Sequence, residues 1–394
     1  MGANRMGERP VGDAFDVVVI GSGPAGLGAT IAASRAGATV LFLAERPLSP
    51  EDGVPPSGRG WVTVRGGTRV WGLFPDLTVA ATGDGATWTV RPRAVIVATG
   101  STDRPCPIPG WHLPGTLTPA ETRAVLTSDE IVPGARVAIV SAVPEPDASL
   151  DLSLRTAGVT VVARVAAIGA EIIGPDRVTA IRAGGETVAC DRVILDGGRQ
   201  ARFTLAQMAG CDVRSGPGGF VPVVDGDGRT TVAGLFVVGD AAGPCSEAVA
   251  AREGRLAGVV AAGAGAGVID EERAALGRLD PGRDRAMIAA TTPVPLAAAT
   301  VLCRCEGILT GAIDGAIRGG AASVNDVKRR TRAGMGACQG SLCVPLMAGR
   351  LSAAGNAAGA GRSGPVPAIS PMTARPPALP VTGAELAALD PRMA

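Results

Sequence analysis

The sequence predicts an α/β fold of the Rossmann-like, three-layer kind, with two dinucleotide-binding units and a small helical domain near the C-terminal end. Three observations predict it. Asp16 to Glu45 reads as buried strand, glycine turn, helix and strand. The order strand, turn, helix, strand returns from Ala135 to Val165. Beyond the α/β pattern, Cys303 and Cys305, then Cys338 and Cys343, form two close pairs.

The first element is the most informative. Val17 to Ile20 is a strand apolar on both faces, and it runs into Gly21, Gly23 and Gly26 at the G-x-G-x-x-G spacing. Gly21 permits a tight turn, Gly23 lets a pyrophosphate approach the backbone, and Gly26 lets the helix lie close on the strand. The helix, from Pro24 to about Arg35, points free N–H groups and its positive dipole end at the anion. Ser22 and Ala25 complete the candidate loop. A second strand, Thr39 to Ala44, ends in Glu45, 24 residues after Gly21, where a carboxylate can accept from both ribose hydroxyls of an adenosine. Arg46 follows as a further candidate contact. Glu at this position argues against a 2′-phosphate. A glycine turn in an ordinary βα unit is the bland alternative, weakened by the strand, helix and acid around it.

A chain of 394 residues has room for two or three domains and a sizeable core. With 57 Gly and only 3% aromatic residues, packing relies on close βα contacts. The 37 basic residues balance 36 acids, which leaves no electrostatic footprint for nucleic acid or an anionic membrane. No apolar signal segment precedes Phe15, and Leu256 to Val268 reads as a buried helix followed by a loop, so no membrane span and a cytoplasmic location are expected. In a reducing compartment the eight Cys are ligands or core thiols before they are disulfides.

After Glu45 an irregular stretch leads to three short strands near Val70 to Phe74, Leu77 to Ala81 and Thr87 to Arg91, then a buried strand from Ala94 into Ala98, Thr99 and Gly100. Val70 and the Ala98–Gly100 end are candidate cofactor contacts. Thr102 to Gly115 holds four Pro and reads as a linker. In the second unit the turn is Ser141 to Pro146, SAVPEP, where glycines are absent and Pro and Glu oppose a pyrophosphate. The unit is expected to be empty scaffold. A buried strand at Leu235 to Val238 then ends in Gly239 and Asp240, and a helix follows from Ser246 to about Ala262. The expected domains are residues 1–108 and 201–289 for the first unit, 109–200 for the degenerate second, 290–355 for the cysteine domain and 356–394 for a Pro-rich tail.

The quartet reads C-x-C, 32 residues, C-x4-C. Four thiolates in two pairs can hold a 2Fe-2S cluster or a tetrahedral zinc. Cys303 and Cys305 are expected on a loop at the start of a helix containing Ile308, with short helices at Ile313 to Ile317 and Val324 to Val327. Lys328, Arg329, Arg330 and Arg332 offset cluster charge, and Gly334 and Gly336 expose N–H groups to sulfur. Cys106, Cys190, Cys211 and Cys245 lack paired spacing and read as packing residues.

CRCE and VKRRTRAGMGACQGSLC resemble the iron–sulfur domain of bacterioferritin-associated ferredoxin, as appended to a family of bacterial flavoprotein subunits. That family includes the A subunit of opine oxidases, the B subunit of hydrogen cyanide synthase, and the alpha subunits of proline, hydroxyproline and sarcosine dehydrogenases. The resemblance continues through VWGLF, ATGSTDRPCPIPGWHLPG, GLFVVGDAAG, EGRLAG and ARPPALPVTGAELAAL. It implies a two-dinucleotide-domain flavoprotein in which the GSGPAG turn, ATG and Gly239–Asp240 converge on FAD, and in which the quartet holds 2Fe-2S. ATP or NAD at the N-terminal site, and zinc at the quartet, stay open. It further implies a partner subunit resembling D-amino-acid oxidase that oxidises the substrate, and a small ferredoxin-like subunit. The tail is then expected along its own flavin domain or a partner. Two departures stand out: Pro47 to Trp61 lacks the family's Gly-Gly-Gln stretch beside the flavin, and SAVPEP lacks its glycines. The catalytic residues stay unassigned, because the one His, His112, sits in the Pro-rich stretch with no acid–base partner. An NAD(P)H-dependent flavin reductase and a non-redox assembly subunit are the competing readings.

Overall fold

The computed structural model describes residues 15–48, 62–127, 135–144, 148–216, 219–290, 293–359 and 369–387. The chain divides into two compact units, one of Met1–Ser101, Ala201–Ile288 and Thr373–Ala394, the other of Thr102–Gln200 and Ala289–Met372.

In the first unit, five parallel strands are ordered Leu235–Val237, Ala94–Val97, Val17–Ile20, Val40–Leu43 and Val62–Arg65. The inner strands are apolar at every position because both faces are covered. Val17, Val19, Val40, Phe42, Ile96 and Phe236 face the helices Pro24–Arg35 and Glu247–Ala261. Val18, Ile20, Leu41, Leu43, Val95 and Val97 face an antiparallel sheet of Arg69–Leu73, Val79–Gly83 and Ala86–Val90. These are the expected three layers. The Val62–Arg65 strand had no sequence signal, since its residues are only half-buried and it follows a stretch rich in Pro and Gly.

The two helices cross at close range. A Cβ on Gly254 or Gly258 would strike the carbonyl oxygens of Ala25 or Ala29. After Ala261 the chain turns and enters a further helix, Ala266–Gly277, where the sequence suggested a loop. Glu272 anchors it: its carboxylate accepts from Arg255 at 2.9 and 2.6 Å and from Arg252 at 3.3 Å. From Thr373 on, the described part of the tail packs on this same unit. The Ala378 N–H donates to the Trp71 carbonyl at 2.6 Å, and Arg69 donates to the Pro380 carbonyl at 3.2 Å and to Glu385 at 2.9 Å.

The second unit repeats the plan with parallel strands Thr160–Ala166, Arg136–Ser141, Arg192–Asp196 and Thr116–Leu117. Val137, Ile139 and Ile194 pack on Leu150 and Leu154 of the Ala148–Thr156 helix. Ala138, Val140, Val193 and Leu195 pack toward Ile172 and Ile181 of an antiparallel sheet. The expected linker is here corrected: Cys106, Ile108 and Trp111 are fully buried core residues of this unit, so the boundary falls at Ser101 and not near residue 108. Proline there fixes a packed path, because each ring locks φ and removes a donor that burial would orphan. The cysteine domain belongs to this unit, with helices Thr310–Arg318, Val324–Thr331 and Cys343–Gly359. Among the described residues, no helix is long and apolar enough to cross a membrane.

The Arg255 hydrogen bonds hold the Glu272 carboxyl below the usual range, so its stabilisation is present above the unfolded-state pKa and is lost as pH falls through the folded one. Glu272→Gln should therefore cost about 1–3 kcal/mol at pH 7. In urea titrations the difference from wild type should close below about pH 4.

Candidate cofactor and cluster sites

The loop after the first strand has the form of an anion cradle. Gly21 adopts φ +116°, and a Cβ there would strike the Ala98 carbonyl, while one on Gly26 would strike the carbonyl of Gly21. Gly23 differs from both. A Cβ on it would meet nothing within 4 Å, so the space before it is free for a ligand. Pro24 opens the helix, no side chain caps it, and its first turn carries no acid. Its orphan N–H groups and dipole are thus available to a phosphate. Ser22 is half-buried, while Ala25 and Gly26 pack inward.

The other candidate segments meet this turn. Ala98 lies against Gly21, and Gly100 takes φ +75° with open space around it. Thr99 donates its hydroxyl to the Arg202 carbonyl at 2.9 Å. A Cβ on Gly239 would lie 2.7 Å from that of Ala25, so Gly239–Asp240 abuts the cradle helix. Glu45 and Arg46 are exposed just beyond the row where Ile20 pairs with Leu43. Ligands of such sheets bind beyond this carboxyl edge. Val70 is a core residue whose side chain packs with Val18 and Ile20, so any contact with a ligand would come from its main chain.

Three supporting residues stand outside the candidate contacts read from the sequence. Ser101 donates to Asp240 Oδ2 at 2.6 Å, while the Cys245 N–H donates to Asp240 Oδ1 at 2.9 Å. Glu253 accepts from the Gly239 N–H at 2.8 Å, and Arg285 grips Glu253 at 2.6 and 2.7 Å while donating to the Gly239 carbonyl at 3.3 Å. The Ser101–Asp240 and Arg285–Glu253 pairings join segments far apart in sequence, where motif spacing is silent. Cys245, read as a packing residue, also fixes Asp240. Burial pushes the Cys106 and Cys190 thiols up to about 12 and about 11, and raises Cys211 and Cys245 as well.

The quartet sits on two loops. Val301–Cys303 and Ile308–Leu309 form an antiparallel hairpin, with Cys305 exposed in its turn. Ile308 is therefore in a strand, and the helix begins at Thr310, which corrects the expected placement. Cys338 lies in the turn before Cys343, which opens the last helix of the domain. The thiols pair across the loops, Cys305 with Cys338 and Cys303 with Cys343. Burial opposes ionisation of Cys338, yet hydrogen bonds from the Leu342 amide, the Cys305 thiol, Ser341 and the Gly340 amide lower its pKa. The amides reaching this sulfur thus follow Cys338, where Gly334 and Gly336 were expected to supply them. Gly336 has a steric role, because a Cβ there would strike Cys305. Among the described residues, no three or more His, Cys, Asp or Glu side chains gather as a site for one metal ion. Two thiol pairs suit a cluster, whose two irons share four thiolates.

Cradle and quartet together define a flavin and iron–sulfur protein, and comparison with known proteins agrees. Residues 16–48 match the FAD binding domain model, 134–264 the pyridine nucleotide-disulphide oxidoreductase model, and 301–351 the BFD-like [2Fe-2S] binding domain model. The chain carries an FAD-binding domain and a 2Fe-2S-binding domain. It is a homologue of the opine oxidase A subunit from Agrobacterium tumefaciens, at 29% identity over 84% of both chains. With the opine oxidase A subunit from Rhizobium meliloti strain 1021 it shares 28% identity over 95% of this chain and 99% of that one. Over 32% of its length it is 34% identical to hydrogen cyanide synthase subunit HcnB of Pseudomonas aeruginosa, covering 24% of that protein. Its fold matches the crystal structure of L-proline dehydrogenase from P. horikoshii, with TM-score 0.71 and 21% identity over 95% of this chain and 79% of that one.

Because the space before Gly23 is open to a ligand and not to the protein, Gly23→Val should fold normally and lose bound nucleotide. Retained nucleotide after gel filtration of that variant would refute the cradle. Cys303→Ser, Cys305→Ser, Cys338→Ser and Cys343→Ser should each lose or destabilise the cluster by iron assay, whereas Cys106→Ser and Cys190→Ser should keep about two irons per chain.

Proposed function

We propose that this chain is the electron-transfer subunit of a heteromeric dehydrogenase or oxidase acting on CH–NH or CH–NH2 donors of the opine, proline, hydroxyproline, sarcosine or glycine type. A partner subunit resembling D-amino-acid oxidase oxidises the substrate carbon, and a small ferredoxin-like subunit completes the complex. The observation that carries this reading is the presence, in one chain, of a dinucleotide cradle and a cysteine quartet. His112 is exposed in the Pro-rich segment. Homology to subunits of opine oxidase supports the heteromeric part.

Bound FAD accepts a pair of electrons, and a 2Fe-2S cluster passes electrons singly. The residues of this chain would hold those groups. Gly21 to Gly26 would bind pyrophosphate through the backbone, Glu45 would select an unphosphorylated ribose, and Asp240, held by Ser101 and Cys245, would accept from a ribityl hydroxyl.

One observation favours a second reading, an NAD(P)H-dependent reductase: the pyridine nucleotide model matches across the second unit. Against it, the turn after the Arg136–Ser141 strand offers Ala142, Val143 and Pro144 in place of glycines, and Ser141 Oγ lies 3.3 Å from both the N–H and the carbonyl of Val143. Glu145 and Pro146 of that turn fall outside the described residues.

Anaerobic mixing separates the two. Bleaching of the flavin absorbance in the reconstituted complex by an amino or imino acid, with the isolated chain inert to NADH, is the expected result. Rapid bleaching of the isolated chain by NADH would establish the reductase instead.

A further inference from the structure

Trp111 and Arg304 come from separate motifs, the PGW segment and CRCE, and in the second unit they stack. The Arg304 guanidinium carbon lies 5.4 Å from the Trp111 ring centroid, and Nη2 donates to Thr116 Oγ1 at 3.3 Å. We propose that Arg304 is a fixed cation that raises the reduction potential of the 2Fe-2S cluster, and that Trp111 and Thr116 are the positioning residues that hold it there. The inference rests on the assignment of the quartet to such a cluster.

The platform is rigid. Trp111 is 1% exposed, and its indole N–H donates at 2.6 Å to the carbonyl of Val301, two residues before Cys303. The Thr116 hydroxyl is itself fixed against the carbonyls of Trp111 and Leu113, at 3.0 and 2.9 Å. Gln200 ties the other cysteine loop to the same unit, donating to the Ser341 carbonyl at 2.7 Å. One ring therefore both anchors the strand that carries Cys303 and holds the guanidinium of the residue between Cys303 and Cys305.

Charge explains why this matters. One-electron reduction adds one negative charge to the cluster, and a nearby cation stabilises the reduced form more than the oxidised one. The effect weakens in water and strengthens where the charge rests on buried aromatic surface. Neighbouring cations are otherwise engaged. Arg332 pairs with Glu306 and Arg329 with Asp326, with side chains 74% and 73% exposed, so solvent screens them. Arg350 grips Asp314, and Lys328 Nζ lies 3.1 Å from Met372 Sδ. Arg304 faces a ring and a hydroxyl, and among the described residues it pairs with no carboxylate. A guanidinium keeps its charge at every working pH, so its contribution is independent of pH.

The test is a redox titration of the purified holoprotein followed by electron paramagnetic resonance, with iron content measured on each sample. Arg304→Gln should retain iron and show a lower midpoint potential. Trp111→Phe, which keeps a ring but loses the bond to Val301, should fall between that variant and wild type, and Arg329→Gln should not move. An unchanged midpoint in Arg304→Gln at full iron content overturns the inference. If that variant cannot hold iron, the midpoint is read on Arg304→Lys and Trp111→Phe, and wild-type values in both overturn it equally. Wild-type protein with neither iron nor a reduced-state signal would refute the cluster itself, a distinct failure.

Discussion

The first unit depends on one steric constraint, the contact between the Gly21 carbonyl and the α-carbon of Gly26. It brings the helix onto the end of the first strand, and that approach leaves the open space before Gly23. The same helix is clamped from its other side by Gly254 and Gly258, whose missing side chains admit the carbonyls of Ala25 and Ala29. Ala25 in turn supports Gly239. Backbone contacts of this kind transmit position without side-chain freedom, which suits a site whose task is to fix an anion.

The second unit keeps the layers but has a different turn after its first inner strand. Its inner strands, Arg136–Ser141 and Arg192–Asp196, are largely buried between two apolar layers as in the first unit, but its turn lacks the glycines that would let a pyrophosphate approach. Its core instead supports the cysteine loops, with Val294, Leu342 and Leu346 packed against the cluster of residues around Trp111. Such layers are held by apolar burial, whereas a ligand site rests on a few turn residues.

How much was legible follows from the range of each interaction. The first βαβ unit, the inner strands and the quartet were readable because periodicity and spacing are local signals. The hairpin at Val301–Leu309 was not, because its strands span three and two residues and leave no alternation to detect. Thr102–Gly115 read as a linker from its prolines, although proline is equally suited to a rigid buried path once Trp111 fills the core. Ser101 and Arg285 act on Asp240 and Gly239 from distant segments, and motif spacing does not show which partner each will take.

Binding of a flavin dinucleotide and a 2Fe-2S cluster by one chain, at separate sites, is the claim on which the proposed function rests. The most direct measurement is the absorption spectrum of the purified protein, with chromatography of the nucleotide released by acid. Flavin bands over a broad iron–sulfur background, and release of FAD, are the predicted result. A colourless protein that releases ATP or NAD would contradict it.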